Sequence, residues 1–182
     1  MEHRKLGRSG LVVSRLCLGT LTIGPLQANL TLADGARVIR TALEEGINFL
    51  ETADLYETYD YIREALVGWT EPVVIASRSY DYTYEGMQSR VEKALRQLKR
   101  DYIDLFMLHE QESRLTLQGH APALEYLAAA KEKGLIRAIG VSTHVVEVVE
   151  ACSKHPLIDV VQPIVNVAGL GIEGGTLEEM LA

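Results

Sequence analysis

Six short apolar runs alternate with six helix-forming runs along nearly the whole chain, and this alternation constrains the fold more than any other feature. The apolar runs are LCLGT, INFLETA, PVVIAS, YIDLFMLH, IRAIGVST and IDVVQPIVN. Between and after them come TLADGARVIRTALEEG, TYDYIREALVG, EGMQSRVEKALRQLK, APALEYLAAAKEKG, HVVEVVEACSKH and TLEEMLA. Strict alternation of strand and helix means parallel strands joined by right-handed crossovers. Several of the strands are apolar on both faces, as a sheet covered by helices requires.

The helices carry local signals of their own. Thr31 is placed to cap the first, Asp34 favours its first turn, and Gly46 closes it, with Val38, Ile39, Ala42 and Leu43 as the expected buried stripe. The third shows Met87, Val91, Ala94, Leu95 and Leu98 on one face. Ahead of all six units, RKLGRSGLVVSRL reads as a β-hairpin turning at GRSG. Two architectures fit: an open doubly wound sheet, or a (β/α)8-type barrel. A length of 182 residues suits one domain, residues 1–182.

Charge narrows the function. A net charge of −7 and a pI near 5.3 argue against broad binding to nucleic acid or an anionic membrane. The start, MEHRKLGRSG, has no apolar h-region, and no run approaches ~20 apolar residues. The expectation is a soluble, cytoplasmic protein. Its cysteines, Cys17 and Cys152, read as two reduced core thiols rather than a disulfide.

Ligands of parallel α/β folds bind at the carboxyl ends of the strands. There the sequence places Glu51 and, just beyond it, Tyr56; then Arg78; then His109; then Ser142, Thr143 and His144; and finally Gln162 and Asn166. A phenol is a proton donor, a cation beside it favours phenolate, and a buried acid fixes that cation. An imidazole N–H can hold a carbonyl oxygen next to the phenol. Such a set protonates a carbonyl oxygen as hydride reaches its carbon, and the hydride must come from a cofactor.

At these residues the sequence resembles the aldo/keto reductases. The stretches ETADLY, VIASR and YIDLFMLH carry the likeness, with the opening RKLGRSGLVVSRLCLGT and the fifth strand IRAIGVST, over residues 3 to about 166. The resemblance implies a TIM (β/α)8 barrel that binds NADP(H) and reduces the carbonyl of a small aldehyde or ketone. It implies Tyr56 as acid/base, Glu51 in the place of the family's aspartate, Arg78 in the place of its lysine, and His109 as the imidazole that orients substrate. Gln162 and Ser142 match positions holding the nicotinamide carboxamide, with Thr20 and Thr143 as further cofactor candidates. No metal site is expected. GTLTIGP and HEQES also resemble a branch with a C-terminal iron–sulfur segment, for which this chain has no cysteine cluster.

Two exchanges, Glu51 for aspartate and Arg78 for lysine, look coupled. A Glu–Arg pair can be bidentate and planar, which an Asp–Lys pair cannot. The expectation is that Glu51 holds Arg78 and that Arg78 lowers the pKa of Tyr56; the alternative is a reductase-like barrel with impaired or no turnover. Length adds another expectation. A closed barrel typically takes ~250 residues, so the chain reads as about six βα units, truncated in or after the sixth. The open edges then invite self-association, and the loop that grips a cofactor phosphate is missing, so tight NADPH binding is not expected.

Other motifs are weaker. GLGIEGG holds a literal G-x-G-x-x-G at Gly169, Gly171 and Gly174, but in the last unit and without a following acid, so it reads as a loop. HEQES lacks the second histidine of a zinc pair. Tyr80, Tyr82 and Tyr84 either wall a substrate pocket or coat the surface.

Overall fold

The computed structural model describes residues Met1–Ala182. A hairpin opens the chain: β1 (His3–Lys5) pairs antiparallel with β2 (Val12–Ser14). Six parallel strands follow, β3 (Leu18–Gly19), β4 (Phe49–Glu51), β5 (Val74–Ser79), β6 (Ile103–Leu108), β7 (Ile136–Thr143) and β8 (Val160–Pro163). Their order in the sheet is their order in the chain. That decides between the two architectures, because a doubly wound sheet reverses strand order at a switch point and a barrel does not. The sheet is an incomplete barrel of six strands with β3 and β8 at its open edges.

The helices are α1 (Leu32–Glu44), α2 (Tyr59–Ala65), α3 (Tyr84–Leu98), α4 (Arg114–Gly119), α5 (Ala121–Glu132), α6 (Val146–Ser153) and α7 (Leu177–Leu181). Thr31 caps α1 by accepting from the Asp34 N–H, and Thr83 caps α3 in the same way from Gly86. On α1 the buried stripe is Ala36, Ile39 and Leu43, whereas Val38 is exposed; the helix is turned slightly from the expected face. On α3 the expected face holds, with Leu95 only partly buried. The α4 helix was not foreseen. Ser113 starts it by accepting from the Thr116 N–H.

Alternate residues of the strands serve two cores. Outward-facing Leu50, Ile75, Phe106, Leu108, Ile139 and Val141 pack under the helices. Inward-facing Val74, Ala76, Leu105, Met107, Ala138 and Val160 form a second core with Leu11 and Val13 of the hairpin. The hairpin is tied to the neighbourhood of β8: Arg8 N–H donates to Asp159 O at 2.8 Å and Arg8 Nη2 to Ile158 O at 2.5 Å. Inside the barrel Gly140 leaves room for Met107, whose Cγ would lie 2.7 Å from a Cβ at that position. Cys152 is buried as expected, but Cys17 is exposed beside the β3 edge and is not a core thiol. No helix is long and apolar enough to cross a membrane.

Candidate active site

Above the inner core, the strand ends bring polar groups together. Glu51 closes β4, Arg78 lies one residue before the end of β5, and His109 follows β6 directly. Tyr56 ends a 3-10 turn, Asp54–Tyr56, that begins three residues after Glu51. Ser142 and Thr143 end β7, and Gln162 stands exposed on β8. A cavity of about 390 Å³ is lined by Tyr56, Arg78, His109, Glu110, Ser142 and Gln162, among others.

The Glu51–Arg78 pair forms as expected. Arg78 Nη2 meets Glu51 Oε1, and the two side chains are 8% and 13% exposed. Arg78 Nε has no hydrogen-bond partner, so the pair is not a side-on fork through that nitrogen. Gly19 on β3 makes the space: a Cβ there would lie 3.2 Å from Glu51 Oε2. Burial pulls Arg78 down to about 10, opposed chiefly by the charge of Glu110, so it stays a cation at neutral pH.

Tyr56 departs from the expectation. Its pKa is raised, first by burial and then by the charge of Glu110. Burial of the phenol is the larger cause, and Glu110 adds a carboxylate to the cavity wall. His109 is buried and lies edge-on to Tyr56, their ring centroids 6.0 Å apart. Burial and the Arg78 charge hold its imidazole down to about 4, so it is neutral at pH 7.

The proposed cofactor residues divide. Ser142 Oγ accepts from the Glu110 N–H at 2.9 Å, which leaves its own O–H free to donate. Thr143 lines the cavity, but its hydroxyl donates to Gln111 O at 2.6 Å and accepts from Val145 N. Thr20 is fully buried and outside the cavity lining, its hydroxyl 2.7 Å from that of Thr58, which is 2.8 Å from Thr52; this buried chain braces β3 against β4. Asn166 lies beyond β8 and spends its side chain on its own loop, accepting from Ala168 N and Leu170 N. His144 lines the cavity. Gly169, Gly171 and Gly174 take positive φ in the loop that precedes α7, as the loop reading expects.

Residues outside the predicted catalytic and cofactor set also converge here. Tyr80 stacks on His109 with centroids 4.0 Å apart, and its hydroxyl donates to Glu110 Oε2. Tyr82 and Tyr84 do not join it; they pack against His120 and Tyr126. Buried Gln111 ties the end of β6 to β7, its N–H donating to Ser142 O at 2.8 Å. Lys93 on α3 donates to Asp54 at 2.7 Å and so anchors the turn that carries Tyr56. The signal for Glu110 was available: a charged residue directly after the histidine that ends a strand.

Comparison with known proteins gives one consistent result. The profile of the aldo/keto reductase family matches residues 15–171. The chain is 32% identical over 158 residues to an uncharacterized oxidoreductase, YqkF, of Bacillus subtilis, covering 79% of this chain and 49% of that protein. It is 28% identical over 158 residues to a 6-dehydroglucose reductase of Novosphingobium aromaticivorans, covering 76% and 50%. The holo form of aldo-keto reductase AKR11C1 from Bacillus halodurans superposes with a TM-score of 0.75 at 27% identity, over 90% of this chain and 57% of that one. The chain thus spans about half the length of these curated relatives.

Proposed function

The chain belongs to the aldo/keto reductase family, and on that premise we propose that it carries the proton-donating half of an NADP(H)-dependent carbonyl reductase site. The observation that supports this most is the meeting of Tyr56, the Glu51–Arg78 pair and His109 around one cavity at the carboxyl ends of three successive strands.

In this reading the substrate carbonyl oxygen sits between the Tyr56 hydroxyl and the His109 imidazole. Neutral His109 donates a hydrogen bond and fixes the oxygen; Tyr56, a phenol protonated at neutral pH, delivers the proton. Arg78, held by Glu51, stabilises the phenolate left behind. The cofactor, when bound, supplies the hydride that completes the alcohol. Ser142 and Gln162 fit the nicotinamide end, since each offers a hydrogen-bonding group at the cavity wall. The substrate is a small aldehyde or ketone, in keeping with relatives named for 6-dehydroglucose and methylglyoxal reduction.

The test is NADPH oxidation by the protein with a panel of small aldehydes. Turnover that Tyr56→Phe removes by at least ~100-fold supports the reading. Turnover that Tyr56→Phe leaves intact would show that another group is the acid.

A second reading is a reductase-like barrel without turnover, and the raised pKa of Tyr56 beside an exchanged acid–cation pair favours it. A protein that is inactive as it stands and gains activity with Glu51→Asp and Arg78→Lys together supports this second reading. Activity in the unaltered protein removes it.

A further inference from the structure

We propose that Glu110, fixed by Tyr80, selects the substrate by charge: the site takes neutral, hydroxylated carbonyl compounds and rejects those bearing a carboxylate. The proposal rests on the reductase reading above and names its substrate class.

The charges of the cavity carry the argument. Arg78 is matched by Glu51, His109 is neutral, and Glu110 adds a negative charge. Among the residues named, that leaves the cavity with one net negative charge. No lysine or arginine pairs with Glu110. Its partners are the Tyr80 hydroxyl, which donates to Oε2, and His109 Nε2, 4.0 Å from Oε1.

The carboxylate is also held in place. Tyr80 grips it from one side while its ring is stacked on His109. The main chain that carries it is fixed as well, the Glu110 N–H donating to Ser142 Oγ. The backbone turns there through φ +44°, a conformation that non-glycine residues seldom adopt. So the carboxylate is positioned, not trailing in solvent, although Glu110 is 46% exposed at its side chain.

Beyond it the acid character continues. A neighbouring cavity of about 430 Å³ shares Glu110 and His144 and adds Glu112 and Glu173. A substrate tail leaving the first cavity on this side meets more carboxylates. Only 3 of the 11 residues around the first cavity are hydrophobic, Tyr56 and the adjacent Ile164 and Val165. Elsewhere the wall offers a carboxylate, an amide and hydroxyls, which suit a ligand rich in hydroxyl groups.

The experiment compares glyceraldehyde, propanal and glyoxylate as substrates with NADPH, for the unaltered protein and for Glu110→Gln. The expected result is a kcat/KM for glyceraldehyde at least ~10-fold above that for glyoxylate, with Glu110→Gln narrowing the ratio by ~10-fold or more through a gain on glyoxylate. A ratio that Glu110→Gln leaves unchanged overturns the proposal. Ligand-observed NMR of glycerol and lactate with the cofactor-free protein reads the same preference without turnover. Weak lactate binding that Glu110→Gln strengthens supports the charge filter even if no aldehyde is reduced, in which case the reductase reading alone fails. Lactate bound as well as glycerol in both proteins overturns the filter even if aldehydes are reduced.

Discussion

The ring of Tyr80 lies face to face with the imidazole of His109, 4.0 Å between centroids and 20° from parallel. Two groups from adjacent strand ends, β5 and β6, are thereby held with their ring planes nearly parallel. An aromatic pair of this kind is worth about 0.5–1.5 kcal/mol. If the stack sets the angle of the imidazole, Tyr80→Ala lowers kcat/KM for a small aldehyde by ~3- to 10-fold, while Tyr80→Phe keeps most of it. Equal losses in the two variants would mean that the hydroxyl, through Glu110, matters more than the ring.

The Glu51–Arg78 pair should dominate stability at the rim. Removing one partner of a buried pair leaves an uncompensated charge and costs about 3–5 kcal/mol. Arg78→Met alone and Glu51→Gln alone are therefore expected to lower the urea midpoint sharply. Glu51→Leu combined with Arg78→Met should recover much of the loss, because no charge is then buried. A double variant no more stable than either single one would show that the pair does more than neutralise itself.

A histidine held down at about 4 also makes stability depend on pH. In the unfolded chain its pKa is near 6.5. Below that value the unfolded state takes up a proton that the folded state refuses, so stability is complete above it and drains away as pH falls toward 4. Between pH 7 and pH 5 the loss from this one group is about 2 kcal/mol. Urea unfolding at both pH values should show His109→Gln losing less than the unaltered protein by about that amount.

Tyr56 gives a second pH dependence with the opposite partner. Glu110 helps to raise its pKa, so Glu110→Gln should move the phenol's titration to lower pH. Ultraviolet difference spectra of Glu110→Gln, with and without Tyr56→Phe, isolate that one tyrosine from the other seven. In activity, the alkaline limb of the reduction profile should move down with it. An unmoved titration would show that burial alone sets the phenol.

These effects mark where the sequence could be read and where it could not. The strand–helix order was legible because each strand is a short apolar run and each helix carries a cap or a stripe. The strand-end residues Glu51, Arg78 and His109 followed from that order, since register alone puts them on one rim. The α1 stripe was misjudged at Val38, because two adjacent apolar pairs, Val38–Ile39 and Ala42–Leu43, leave the face ambiguous by one residue. What pattern could not give was the balance of charge. Arg78 was expected to lower the pKa of Tyr56, yet burial of the phenol raises it, with the charge of Glu110 adding to the rise. Thr20 looked like a cofactor ligand by position, but its hydroxyl is consumed in a buried chain with Thr58. Both errors come from loops and long side chains, whose partners are set by tertiary contact.

The last expectation concerns the turn that carries Tyr56. Lys93 Nζ lies 2.7 Å from Asp54 Oδ1, and Arg90 Nη1 lies 3.4 Å from the other oxygen. Asp54 is 15% exposed and Lys93 is 32% exposed, so the pair is partly screened and its removal should cost under about 1 kcal/mol of stability. Its effect on rate can be larger. Tyr56 ends the same 3-10 turn that Asp54 begins, and a shift of about 1 Å in a reacting group can cost ~100-fold. Lys93→Met is therefore expected to lower kcat by ~10-fold or more with KM and the urea midpoint nearly unchanged. A fall in stability that matches the fall in rate would make the pair a structural tie. A fall in kcat alone makes Lys93, on a helix outside the barrel, a positioning residue for the proton donor inside it.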